Sequence, residues 1–228
     1  MTDVDISLSA SSGGDLPFEP TELATYVAAK LCHDFISPAG AIMQGLDLLD
    51  DPSAQDMRED ALNLVAQSAA KMVALVHFAR VAFGAATTSE NFSADELQGL
   101  VEGLIKGGRA TMDWQVAETT FDKPAARTLI NLAYLTVGAL PSGGTAVITG
   151  ERTAEGLVLR GLAEGARARL KPEAETGLRG RRLTDGLAGQ WIQPYWLWMT
   201  ARDAGGRLDV EVEEGRVVLT AVLPAPKS

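Results

Sequence analysis

The sequence predicts an α+β protein: a helical hairpin that forms a dimeric four-helix bundle with a second copy, followed by an α/β sandwich. Three observations carry this. Apolar residues recur at steps of three and four through two long stretches. A proline-bearing break separates those stretches. Beyond about residue 90, short helical patterns interleave with short strand-like segments set off by glycine-rich turns.

Residues 1–18, rich in Ser, Gly and Asp, bury too little to order themselves and read as a disordered tail. Residues 19–85 read as the hairpin. Its first helix runs from about Thr21 to Leu49, with Ala28, Leu31, Phe35, Ala39, Ile42, Leu46 and Leu49 as its seam. Asp50-Asp51-Pro52 stops it, and Ser53-Ala54-Gln55-Asp56 reads as a capping box that starts the second helix. The second seam is Leu62, Val65, Ala69, Met72, Val76, Ala79 and Phe83, a strict three-four alternation close to that of a coiled coil. A two-helix unit leaves such seams partly exposed, so a homodimer is expected.

Gly84 to Asn91 reads as a linker, and residues 90–228 as the sandwich. There, Ser93 opens a helix, Met112 to Val116 is a strand, and Pro124 to Leu140 is a helix ended by Pro141-Ser142-Gly143-Gly144. Thr145 to Gly150 pairs with Leu157 to Leu162 across Gly156. A loop rich in Gly and Arg leads to a helix over Trp191 to Ala204. Arg207 to Glu213 and Arg216 to Leu223 form a hairpin around Glu214-Gly215.

Composition excludes several function classes. A net charge of -10, from 30 acidic and 20 basic residues, argues against nucleic acid as the main partner. One cysteine, Cys32, forbids an internal disulfide, and with only two histidines a dedicated zinc site is not expected. No apolar run approaches the roughly 20 residues that span a bilayer, and no signal peptide is evident, so the cytoplasm is expected.

The chemistry concentrates in Leu31-Cys32-His33-Asp34-Phe35-Ile36-Ser37-Pro38. His33 lies about 200° around the helix from Leu31 and Phe35, so it points away from the seam. Asp34 can accept the imidazole Nδ1–H and leave Nε2 as a nucleophile. Pro38 costs about 3 kcal/mol inside a helix and is expected to kink it, a cost that calls for a functional or packing reason. Lys30, Ile36, Ser37, Gly40 and Gln44 lie within about 60° of His33 and are the candidate contacts for a docking partner. Cys32 reads as a small packing residue. His77 reads as structural or solvated. Trp191, Trp196 and Trp198 read as helix-face core. The basic segment Arg167, Arg169, Lys171, Arg179, Arg181 and Arg182 reads as a solvated loop, with an acidic partner as the alternative.

His33-Asp34-x-x-Ser37-Pro38 resembles the H-box of histidine kinases, which sits on the first helix of a dimerising hairpin. The resemblance implies that His33 is the phosphoacceptor, Asp34 its general base and Ser37 a position involved in dephosphorylation, with Pro38 supporting the motif. The second half resembles the ATPase (Bergerat) fold of the same kinases, with its ligand positions altered. Asn131 stands at the first N-box asparagine, but the second is Leu135, which cannot bind a hard cation. Ala163-Glu164-Gly165-Ala166-Arg167 replaces the adenine-reading Asp-x-Gly-x-Gly, and Asp185 to Trp191 keeps only a degenerate Gly-x-Gly.

An intact H-box beside a degenerate ATP fold is similar to the ChpT-type histidine phosphotransferases of alphaproteobacteria. That resemblance implies a multistep phosphorelay in which His33 takes a phosphoryl group from the receiver domain of a hybrid kinase (CckA-like) and passes it to response regulators (CtrA-like, CpdR-like). It implies no cofactor of the chain's own: no ATP, with magnesium supplied by the receiver. A catalytically silent docking or regulatory module is the alternative.

Overall fold

The computed structural model describes residues 18–84, 91–182 and 188–225. The expected tail, apart from Phe18, and most of the expected linker lie outside these residues. Phe18 does not belong to a tail: it is 3% exposed and meets Tyr26 and Tyr195 edge-on. Asn91 is likewise not linker but the first residue of a strand.

The hairpin comprises α1 (Pro20–Asp50) and α2 (Arg58–Ala82), joined by a 3-10 turn over Pro52–Met57. The expected capping box is replaced by a tighter device. Asp51 accepts hydrogen bonds from both the backbone N–H (2.8 Å) and the hydroxyl (2.7 Å) of Ser53, so α2 starts later than expected. These bonds hold the Asp51 carboxyl below its ordinary value.

The helix α1 is a single element across Pro38, which is buried. Gly45 is also buried in the hairpin; a Cβ there would lie 2.6 Å from Val65 Cγ2. The second seam divides into two rows. Val65, Met72 and Ala79 are partly buried within the hairpin, whereas Leu62, Ala69 and Val76 are exposed together with Ala66 and Val73. A purely periodic reading merges these rows because they sit only one helical step apart. By length and composition, Pro52–Ala82 is apolar enough to cross a membrane, with an 18-residue window of mean hydropathy 1.3. This departs from the sequence expectation, because small alanines raise the window average without forming a continuous apolar run.

The remainder contains β1 (Asn91–Ser93), α3 (Ala94–Ile105), β2 (Ala110–Val116), β3 (Thr120–Asp122), α4 (Lys123–Gly138), β4 (Gly144–Thr153), β5 (Gly156–Glu164), α5 (Pro172–Leu178), α6 (Ala188–Asp203), β6 (Arg207–Glu213) and β7 (Arg216–Leu223). Ser93 and Asp122 cap α3 and α4 through the N–H groups of Glu96 and Ala125. Five strands form a sheet in the order β2-β4-β5-β7-β6, parallel only between β2 and β4; β1 and β3 pair separately. The short β1, β3 and α5 carry too few residues for a periodic signal, and sequence reading missed them.

The close approach of α4 to the sheet is set at Gly161, where a Cβ would lie 2.0 Å from Thr136 Oγ1. The main core runs from the sheet through α3 and α4 into the last turns of α2, at Phe78, Val81 and Ala82. A second cluster joins Phe18 to Ile192, Tyr195 and Met199 on α6. Both ends of the hairpin are therefore anchored to the sandwich, and this packs α1 against α6 and leaves its middle facing α4 across a cleft.

Candidate active site

His33 sits in the middle of α1 with its side chain 61% exposed. Its Nδ1 lies 3.4 Å from Asp34 Oδ1, while Asp34 Oδ2 accepts a hydrogen bond from the Lys30 ammonium one helical turn earlier. Lys30 is 7% exposed. It is thus an internal counter-ion to Asp34 rather than the outward residue that an isolated helix would present. In the tautomer with the proton on Nδ1, directed at Asp34, the Nε2 lone pair is left free.

The other predicted contacts, Ile36 (70% exposed), Ser37, Gly40 and Gln44, are all solvent-accessible. Nothing lies within 4 Å of a Cβ built on Gly40, so this face admits close approach. Pro38 is buried and, lacking an N–H, leaves the Asp34 carbonyl without its helical donor. Cys32 is exposed, contrary to the packing role expected. His77 is exposed on α2.

His33, Asp34 and Lys30 form one wall of a cleft of about 320 Å³. The opposite walls are Tyr134 and Leu135 of α4, Arg169 and Lys171 of the basic segment, and Trp191 and Gln193 of α6. Trp191 packs partly buried against the Phe18 cluster, as expected, and also lines the cleft, where the Lys171 ammonium sits 4.8 Å over its ring. Burial, with a contribution from the negative charge of Asp34, pushes the Tyr134 phenol upward, so it stays a neutral donor at the cleft floor.

The basic segment is more engaged than a solvated loop. Arg169 and Lys171 bring positive charge to the cleft, Arg179 pairs with Glu175 at 2.9 Å, and Arg182 reaches Glu22 on α1 at 2.6 Å. Sequence reasoning missed these cleft walls, although one signal pointed to them: Leu135 lies one helical turn from Asn131, at the altered N-box position. Asn131 itself is fully buried. Its amide donates to the carbonyls of Ala82 (3.0 Å) and Arg127 (2.8 Å), and its oxygen accepts from Gln193 Nε2 at 3.0 Å. Among the described residues, no group of three or more His, Cys, Asp or Glu side chains converges as a metal site.

Comparison with known proteins places this geometry. The family described as histidine phosphotransferase C-terminal domain matches residues 94–216, more than half of the chain. The protein phosphotransferase ChpT of Brucella abortus (strain 2308) is 28% identical over 203 residues, covering 88% of this chain and 95% of that protein. A solved structure of a bacterial phosphotransferase superposes with a TM-score of 0.79 at 26% identity, over 91% of this chain and all of that one. An exposed histidine with an adjacent oriented carboxylate, in a chain matched along nearly its whole length by phosphotransferases, leads to one assignment: this chain belongs to the histidine phosphotransferase family and acts in a phosphorelay.

Proposed function

We propose that His33 is the phosphoryl carrier and that it shuttles the group between the receiver domain of a hybrid histidine kinase and downstream response regulators, CckA-like, CtrA-like and CpdR-like proteins being the partner types. The observation that carries this reading is the arrangement at α1: an exposed imidazole whose Nδ1 faces a carboxylate held by a buried ammonium. The Nε2 lone pair attacks the phosphorus of an aspartyl phosphate; the N–P bond forms as the bond from phosphorus to the donor carboxylate breaks. Asp34 offsets the charge left on the ring. A second receiver runs the same step in reverse, its aspartate displacing the imidazole. Arg169 and Lys171 across the cleft provide charge suited to the acidic phosphoryl site of an incoming receiver.

The chain needs no ATP in this scheme, and magnesium comes with the receiver. Supporting this, both amide N–H groups and the carbonyl oxygen of the Asn131 side chain engage protein groups, and Leu135 offers no side-chain oxygen to a cation. Radiolabelled Mg-ATP alone is expected to leave the protein unlabelled, while a labelled phosphoreceiver transfers acid-labile phosphate to it. Label acquired from ATP alone would overturn the ATP-independent reading.

The same proposal includes a homodimer paired through the hairpin. Leu62, Ala66, Ala69, Val73 and Val76 alternate at four and three residues along the exposed side of α2, a seam of coiled-coil spacing, and Met43 and Leu46 add apolar surface on α1. Light scattering should give twice the 24.1 kDa chain mass, and Val73→Glu should return the mass to that of one chain. A wild-type mass of one chain at micromolar concentration would refute the dimer.

A further inference from the structure

We infer that Asn131, Gln193 and Trp196 are positioning residues for phosphotransfer: they fasten the end of α2 to α4 and α6 and so set the distance from His33 to the far wall of the cleft. Ala82 is the last residue of α2 and is fully buried. Its carbonyl belongs to the last turn of a helix, where no intrahelical N–H is available to it. Two donors from the sandwich supply the missing bonds: Asn131 Nδ2 at 3.0 Å and Trp196 Nε1 at 2.7 Å. The helix is therefore capped by side chains from elsewhere in the fold, and the hairpin cannot shift against the sandwich without exposing or orphaning a buried carbonyl.

The network continues to the site. Asn131 Oδ1 accepts from Gln193, which is 3% exposed and lines the cleft beside Asp34. The Phe83 ring, one residue past Ala82, lies 5.5 Å from Trp196 and packs the same joint. Both amide N–H groups and the carbonyl oxygen of Asn131, the Trp196 N–H and the Ala82 carbonyl are all paired, and paired buried groups of this kind rigidify a joint. The walls that face each other across the cleft come from the two parts so joined: His33 and Asp34 from the hairpin, Arg169, Lys171 and Trp191 from the sandwich.

The functional consequence rests on the proposed reading that a receiver docks over His33 and meets both walls. A partner that grips both binds a preformed cleft and bears no cost of ordering the joint. Loosening the clasp adds that cost to docking while leaving the chemistry of the docked complex intact, so it appears in KM rather than kcat. A small phosphodonor that touches only the imidazole is indifferent to the clasp.

The test uses Trp196→Phe, which keeps the ring but removes the N–H, and the Asn131→Ala/Trp196→Phe double variant, each first shown to be folded by circular dichroism. KM for a phosphorylated receiver is expected to rise about tenfold in the double variant and less in Trp196→Phe, with kcat within about twofold of wild type. Phosphorylation of His33 by phosphoramidate is expected to proceed at the wild-type rate. An unchanged receiver KM in folded variants overturns the inference, as does a parallel fall in the phosphoramidate rate. Failure of the underlying reading looks different: wild-type protein would then accept phosphate from phosphoramidate but not from any receiver.

Discussion

Replacing His33 with Gln is expected to abolish labelling from a phosphoreceiver while leaving the protein as stable as wild type. The imidazole is 61% exposed, and its Nδ1 approaches its neighbour Asp34 at 3.4 Å. Surface substitutions of this kind change stability by no more than about 0.5 kcal/mol. The chemistry, by contrast, loses its nucleophile: a glutamine amide has no lone pair basic enough to hold phosphorus. Thermal denaturation and acid-lability of the bound label, measured on the same preparation, separate the two effects. Label retained by the folded His33→Gln protein would place the phosphoacceptor elsewhere.

Asp34→Asn has the second largest expected effect, and it acts on two levels. At the site, an amide still reaches His33 but no longer offsets the charge that develops on the ring when Nε2 takes the phosphoryl group. A transfer rate lower by about 10²-fold or more follows from the usual size of acid–base assistance. In the fold, the change strands the Lys30 ammonium, 7% exposed, without its counter-ion. Breaking such a pair from one side costs about 3 kcal/mol, the low end of the buried range because the Asp34 side chain is 23% exposed. Adding Lys30→Met removes the stranded charge. The double variant should therefore recover most of the lost stability in denaturant titration and none of the lost transfer rate. Recovery of both would mean that Asp34 serves the helix only.

The motif and the main elements were legible because their information is local. His33, Asp34, Ser37 and Pro38 fall within two turns of one helix, so their shared chemistry can be read off a contiguous string. The boundaries of α4, β4, β5 and the β6–β7 hairpin followed from capping residues and turn glycines, which act over three or four positions. The reading failed where a side chain's environment depends on what packs against it. Lys30 looked like an outward neighbour of His33, yet it is buried and paired with Asp34. Cys32 looked like a packing residue, yet it is exposed. Trp191 does pack against a core cluster, but nothing in the sequence signalled that it also lines the cleft.

By itself, then, the sequence determined the helical hairpin, the mixed sandwich and the identity of the exposed histidine with its acidic neighbour, since each depends on periodicity or adjacency along the chain. Only the tertiary structure decided what that histidine faces. The cleft exists because the buried end of α2 and the Phe18 cluster fix the hairpin to the sandwich at two places, bringing Arg169, Lys171 and Trp191 opposite a residue far from them in the chain. Asn131 makes the same point. Its amide could have been read as a ligand-binding group, but the buried Ala82 carbonyl, unsatisfied within its own helix, engages it, and that carbonyl becomes its partner only once the helices have packed.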